Sequence, residues 1–203
     1  MRYCCAMPTL KHCLQFDNDQ PPARRAALRI LAALALFVLI AAPPVRAEPP
    51  REHQIKAAFV YNFLQFIRWP DGAFKDDKAP IVIGVIDNDA FFDAATAAVR
   101  EKTVNGREIT VKRFMAPADV ADCHVLFVGA VADNVRVTEL LRRTAGKGVL
   151  TVGEADGFTA AGGVVRFFTE NNKMRFEVNV KAAGRQRLEL SAKLLKLARI
   201  YEE

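Results

Sequence analysis

The segment Pro80–Ile86 reads PIVIGVI, without one polar side chain. A run this short and this rich in β-branched residues fits a strand covered on both faces, because a half-exposed strand would alternate apolar with polar positions. His124–Val128 and Gly148–Val152 repeat the pattern on a smaller scale, and Arg107–Phe114 adds an alternating strand. Between these runs, Asp89–Glu101 and Asp133–Thr144 have helical spacing, the second with Val137, Leu140 and Leu141 on its inward side. Buried strands that alternate with helices across short polar turns make βαβ units, whose crossovers lay helices on both faces of the sheet. The expectation is a single three-layer α/β domain around a mainly parallel sheet of about four strands. Val164–Thr169 and Met174–Val180 extend that sheet as a C-terminal antiparallel hairpin, turning through Glu170-Asn171-Asn172-Lys173. A last helix is predicted from Leu190 to Tyr201, with Leu194, Leu195, Leu197 and Ala198 among its apolar positions.

The spacing from His53 to Trp69 predicts an opening helix. Ile55, Phe59, Phe63 and Phe66 share one face, and Val60, Leu64 and Ile67 widen it until only Gln54, Tyr61, Gln65 and Arg68 mark a polar side. Pro70 ends it, since the residue before a proline is pushed out of the α region. A helix apolar over most of its circumference is enclosed on several sides or completed by a partner. The part that carries Phe63, Phe66 and Trp69 is therefore a candidate surface for self-association, as a homodimer, or for partner capture; the competing reading is that these aromatics fill the core.

Upstream, Arg24, Arg25 and Arg29 precede the apolar run Ile30–Ala42, then Pro43-Pro44 and Val45-Arg46-Ala47. A positive n-region, a short apolar stretch and small residues at −3 and −1 form a secretory signal pattern. The run is shorter than the roughly 20 residues a membrane span needs. Residues 1–47 are read as an N-terminal extension and signal peptide cleaved after Ala47, with an uncleaved anchor as the alternative. Residues 48–52 read as a linker and 53–203 as the domain, exported to the periplasm. The net charge of +6 is mainly a property of the leader: 23 basic and 21 acidic side chains remain from Glu48 onward. That balance gives no electrostatic case for nucleic acid. Cys123 is the one cysteine after Ala47. Its place before Val125-Leu126-Phe127-Val128 favours a buried small hydrophobe over an intermolecular bridge.

Few groups are placed for catalysis. Asp87 and Asp89 sit at the end of the first strand, the edge where open α/β sheets bind ligands; the bland reading is that Asp89 caps the next helix and Asp87 faces solvent. Cys123 and His124 are adjacent on a strand, so they point to opposite faces and do not share a metal easily, and His53 is remote in sequence. Ser191, the one serine after Ala47, reads as a packed or capping residue. No nucleophile elbow, P-loop or dinucleotide-binding glycine pattern is present. The hairpin face with Arg166, Arg175, Glu177 and Asn179 could grip a carboxylate or phosphate, or simply pair across the strands. No metal, cofactor or catalytic residue is assigned.

Six stretches together resemble the YfiR family of periplasmic proteins. They are Ala57-Ala58-Phe59-Val60-Tyr61-Asn62-Phe63 running to Trp69-Pro70; Lys102-Thr103-Val104-Asn105-Gly106-Arg107; Cys123-His124-Val125-Leu126-Phe127-Val128-Gly129; Val149-Leu150-Thr151-Val152-Gly153; Arg175-Phe176-Glu177-Val178-Asn179; and Ser191-Ala192-Lys193-Leu194-Leu195-Lys196-Leu197-Ala198. The resemblance covers roughly residues 53–200. It implies a non-catalytic α/β domain that represses an inner-membrane diguanylate cyclase by binding the cyclase's periplasmic sensor region. Cyclic di-GMP falls, biofilm formation is restrained, and an outer-membrane lipoprotein relieves the block. The described repressors carry intramolecular disulfides, which a chain with one cysteine after Ala47 cannot form. A periplasmic small-molecule sensor or carrier domain is the alternative.

Overall fold

The computed structural model describes residues 50–130 and 133–202, which belong to a compact unit spanning residues 48–203. The signal peptide, its cleavage at Ala47 and the first residues of the linker lie outside the described residues.

Helix α1 (Pro50–Phe66) begins inside the stretch read as linker. Proline is tolerated there because the first turn of a helix leaves its N–H groups unbonded anyway. The helix stops before Trp69, since Ile67 and Arg68 leave it as strand β1 (Ile67–Arg68) and pair antiparallel with Leu190 and Glu189. There follow β2 (Ile81–Ile86), α2 (Asp89–Val99), β3 (Thr103–Val104), β4 (Arg107–Phe114), a 3-10 segment (Pro117–Asp122), β5 (Val125–Val128) and α3 (Asn134–Thr144). The chain continues through β6 (Leu150–Gly153), β7 (Val165–Glu170), β8 (Lys173–Val178), α4 (Val180–Arg185), β9 (Glu189–Leu190), α5 (Ala192–Leu195) and β10 (Arg199–Ile200).

The eight-stranded sheet has the order β10-β8-β7-β6-β5-β2-β4-β3. Strands β4, β2, β5 and β6 are parallel, β7 continues in parallel beside β6, and β8 returns antiparallel with Phe176 opposite Phe167. The architecture is the expected α/β domain with a mainly parallel sheet and a C-terminal hairpin. Alternation along β2 separates the layers. Ile81, Ile83 and Val85 join α1 and α2 in one core, while Val82 and Ile86 meet Val137, Leu140 and Leu141 of α3 in the other. Gly84 is where the second layer is tightest. The Phe114 ring lies 2.1 Å from where a Cβ would stand, so a side chain at this position would displace it.

Two local readings are corrected. The helix predicted over Leu190–Tyr201 does not form. Ser191 caps the single short helix α5, accepting from the Lys193 N–H at 3.2 Å. Arg199 and Ile200 then pair in parallel with Glu177 and Val178, and the Tyr201 N–H continues to the Val178 carbonyl at 2.9 Å. Strand pairing at the hairpin edge satisfies main-chain groups that a free-standing helix would have covered alone, and so overrides helical propensity. Leu197 is left 69% exposed. At the start of α2, Asn88 rather than Asp89 is the cap, accepting from the Phe91 N–H at 2.8 Å.

Candidate functional site

The C-terminal end of α1 and strand β1 border a cleft of about 620 Å³ at the edge where β2 and β4 begin. Its apolar floor is Phe66, Trp69, Phe74 and Leu190, and its rim carries Arg68, Arg107 and Lys193 with Glu189 as the one acidic lining residue. Three aromatic rings fix one wall. Trp69 meets Phe74 edge-on at 5.9 Å, and Phe74 stacks on His124 at 4.3 Å between centroids. The Arg107 guanidinium lies 4.0 Å from the centre of the Phe74 ring. Its Nη1 donates to the carbonyls of Asp76 (2.7 Å) and Ala79 (2.8 Å), closing the turn between β1 and β2.

His124 anchors this wall to the sheet. Its Nδ1 accepts from the Val82 N–H at 3.0 Å, so Nε2 carries the proton and donates to the Ala73 carbonyl at 3.1 Å. Burial holds its pKa below the ordinary histidine value, against the Ala73 carbonyl and with the help of the Arg107 charge. Its own carbonyl accepts from Trp69 Nε1 at 3.4 Å. The reading of His124 as the first residue of a buried strand, facing away from Cys123, did not include this bridging role. Its neighbour Cys123 points into the other layer and is buried.

The opposite edge, where β2, β5 and β6 end, is polar and internally paired. Lys56 of α1 forms ion pairs with Glu154 and, at 2.9 Å, with Glu52. The second Glu154 oxygen accepts from Asn88 Nδ2 (3.3 Å) and from the Ala130 N–H (3.1 Å). Asp87 does not simply face solvent. It adopts a left-handed backbone at φ 59° and pairs with Arg136 at 2.9 Å. Asp89 pairs with Arg113 at 3.1 Å. The carboxylates that a phosphoacceptor or metal site would leave open are thus committed to cations. Among the described residues, no cluster of three or more His, Cys, Asp or Glu side chains is arranged to hold a metal ion.

The sequence candidates separate into three places. Phe66 and Trp69 lie together on the cleft. Phe63 is 1% exposed and sits between Phe167 and Phe176, at 5.9 and 5.0 Å, so it presents no surface. On the hairpin, Arg175 is exposed and near Glu170. Glu177 is enclosed by Thr159 Oγ1 (2.6 Å) and Arg166 (3.4 Å). Asn179 is fully buried; it caps α4 through the Ala182 N–H and donates to the Thr159 carbonyl. The hairpin face therefore splits, with Arg175 in solvent and Arg166, Glu177 and Asn179 in the frame. Sequence reasoning missed Phe74, Arg107, Leu190 and Lys193 as cleft residues. A lone aromatic inside the polar stretch Asp71–Lys78 was the one signal available for Phe74.

The cleft gathers residues far apart in the chain. Phe66 and Trp69 come from the first of the six stretches quoted above, Arg107 from the second and Lys193 from the last, while His124 of the third stands behind the wall, stacked on Phe74. No helix among the described residues is long and apolar enough to cross a membrane. A family profile described as YfiR/HmsC-like matches residues 53–199. No curated protein matches the chain.

Proposed function

The chain belongs to the YfiR/HmsC-like family, and from that premise we propose that it is an exported, non-catalytic regulator. It binds the periplasmic sensor region of an inner-membrane signalling enzyme, a diguanylate cyclase, and holds that enzyme inactive. The observation that carries this reading is the convergence of separate stretches of the family resemblance on one cleft with an apolar floor (Phe66, Trp69, Phe74) rather than on a set of reactive groups. Aromatic side chains set in a concave surface are frequent anchors of protein interfaces, tryptophan above all. The paired carboxylates at the other sheet edge fit a structural frame. Export through residues 1–47 and relief by an outer-membrane lipoprotein belong to the same proposal.

Deleting the gene in cells that express the cognate cyclase tests it. Cyclic di-GMP should rise and return to its starting level when the wild-type chain is supplied; an unchanged level contradicts the repressor reading. The volume of the cleft, about 620 Å³, also lies within the range of small-molecule sites. A sensor or carrier domain is therefore the second reading, and a small ligand that saturates the cleft without any protein partner would favour it.

A further inference from the structure

We propose that the cleft takes an extended acidic segment of the partner protein, which lies along the β1–β9 ribbon and places an apolar side chain on Phe66, Trp69 and Phe74. This rests on the reading that the chain acts by binding a protein, and it adds which surface does so and what chemistry it selects. Three observations support it.

The first is charge. Arg68 is matched by Glu189 at 3.2 Å, but Arg107 is held by two carbonyls and an aromatic face, none of which cancels its charge. No carboxylate among the described residues pairs with Lys193. The rim therefore keeps two uncompensated cations around an apolar floor, which complements an acidic segment and disfavours a basic one. The second is the backbone. β1 and β9 form a two-stranded sheet separate from the main one, so neither has another strand beside it among the described residues. Both two-residue strands line the cleft, so an extended peptide in it would lie alongside their main chain, the arrangement in which strand edges bind peptides. The third is where Lys193 sits. It stands exposed on the single turn α5, outside the buried core, so its charge can be changed without removing a core contact.

Trp69 is the single tryptophan, so its fluorescence reports on the cleft without a label. The probes are the blocked peptide Glu-Phe-Glu-Phe-Glu, its counterpart with lysine in place of glutamate, and benzoate. The acidic peptide should change Trp69 emission saturably and bind more weakly as salt rises. The lysine peptide should leave emission unchanged, and Lys193→Glu should weaken acidic-peptide binding at least tenfold while Lys193→Arg retains it. Equal binding of both peptides, or benzoate saturating as tightly as the acidic peptide, overturns the proposal; the latter result indicates a small-anion site. In intact envelopes, a photoreactive p-benzoylphenylalanine at Lys193 should crosslink to an acidic stretch of the membrane cyclase. Crosslinking to that cyclase from Met115 at the opposite edge, with none from Lys193, overturns this surface and leaves the regulatory reading standing. Crosslinking from neither position also overturns this surface, and an unchanged cyclic di-GMP level on gene deletion is then what removes the regulatory reading itself.

Discussion

Lys56 on α1 and Glu154 after β6 form an ion pair in which the two side chains are only 5% and 7% exposed. Glu154 also receives hydrogen bonds from Asn88, after β2, and Ala130, after β5. One carboxylate therefore ties the first helix to the ends of three parallel strands. Removing one member of such a pair strands a buried charge, at a cost of about 3–5 kcal/mol. Lys56→Met should lower stability by that amount in urea denaturation. Lys56→Met with Glu154→Gln should recover a large part, because the amide oxygen still accepts from the Ala130 N–H without carrying charge. Equal losses in the single and double variants would show that the pair is not what holds this edge.

His124 makes stability depend on pH in a stated direction. Its folded pKa lies below the ordinary value of 6.5, so the unfolded chain binds the proton more readily and stability rises with pH. The stabilisation is fully present above about pH 6.5 and is lost as pH falls through the folded value. Burial is the main cause, and the geometry agrees with it: Nδ1 accepts from the Val82 N–H, so a protonated Nδ1 would confront that donor. Thermal unfolding between pH 7.5 and 5 should show a falling melting temperature that His124→Gln flattens. A parallel decline in the variant would assign the effect to other groups.

Cys123 should be inert in the folded protein. Burial, reinforced by the charge of Asp122, pushes its thiol pKa up to about 12, and the thiolate is the reactive form. With the chain cleaved after Ala47, so that Cys123 is its one cysteine, a maleimide or aromatic disulfide reagent at pH 8 should leave the native protein unlabelled and modify it once denaturant is added. Rapid labelling of native protein would contradict the buried placement. The disulfide-based control implied for described repressors has no counterpart at this residue.

Trp69→Ala distinguishes cleft from core. Trp69 is partly buried, with one ring contact and one long hydrogen bond, so truncation should cost about 2 kcal/mol, less than the 3–5 of a fully enclosed aromatic. The folded variant should lose partner binding. Phe63→Ala should cost the full amount, since Phe63 lies between Phe167 and Phe176. Similar destabilisation in both, with binding retained by folded Trp69→Ala, would return Trp69 to the core.

The strands and the first two βαβ units were legible because their side chains obey one rule each. Ile81–Ile86 is apolar on both faces and lies mid-sheet, while Arg107–Phe114 alternates nearer the sheet edge. The C-terminus was not legible for a physical reason. Leu190–Tyr201 has helical spacing, yet the hairpin offers Glu177 and Val178 as partners for Arg199 and Ile200, and no local pattern announces a partner that distant. The same limit applies to the cleft. Phe66 and Trp69 stood out in sequence as aromatics in excess of one helix face, whereas Phe74, Arg107 and Lys193 acquire their meaning only when β1 pairs with β9. Asn179 was read as a surface group because alternation along the hairpin points it away from Phe176; the helix that it caps, and that buries it, begins one residue later.

The most direct measurement is cyclase turnover in membrane preparations whose periplasmic face is open to added protein. Purified wild-type chain should slow formation of cyclic di-GMP from GTP in a saturable way, and Trp69→Ala and Lys193→Glu should require much higher concentrations for the same effect. An unchanged rate at saturating wild-type chain would contradict the account at its centre.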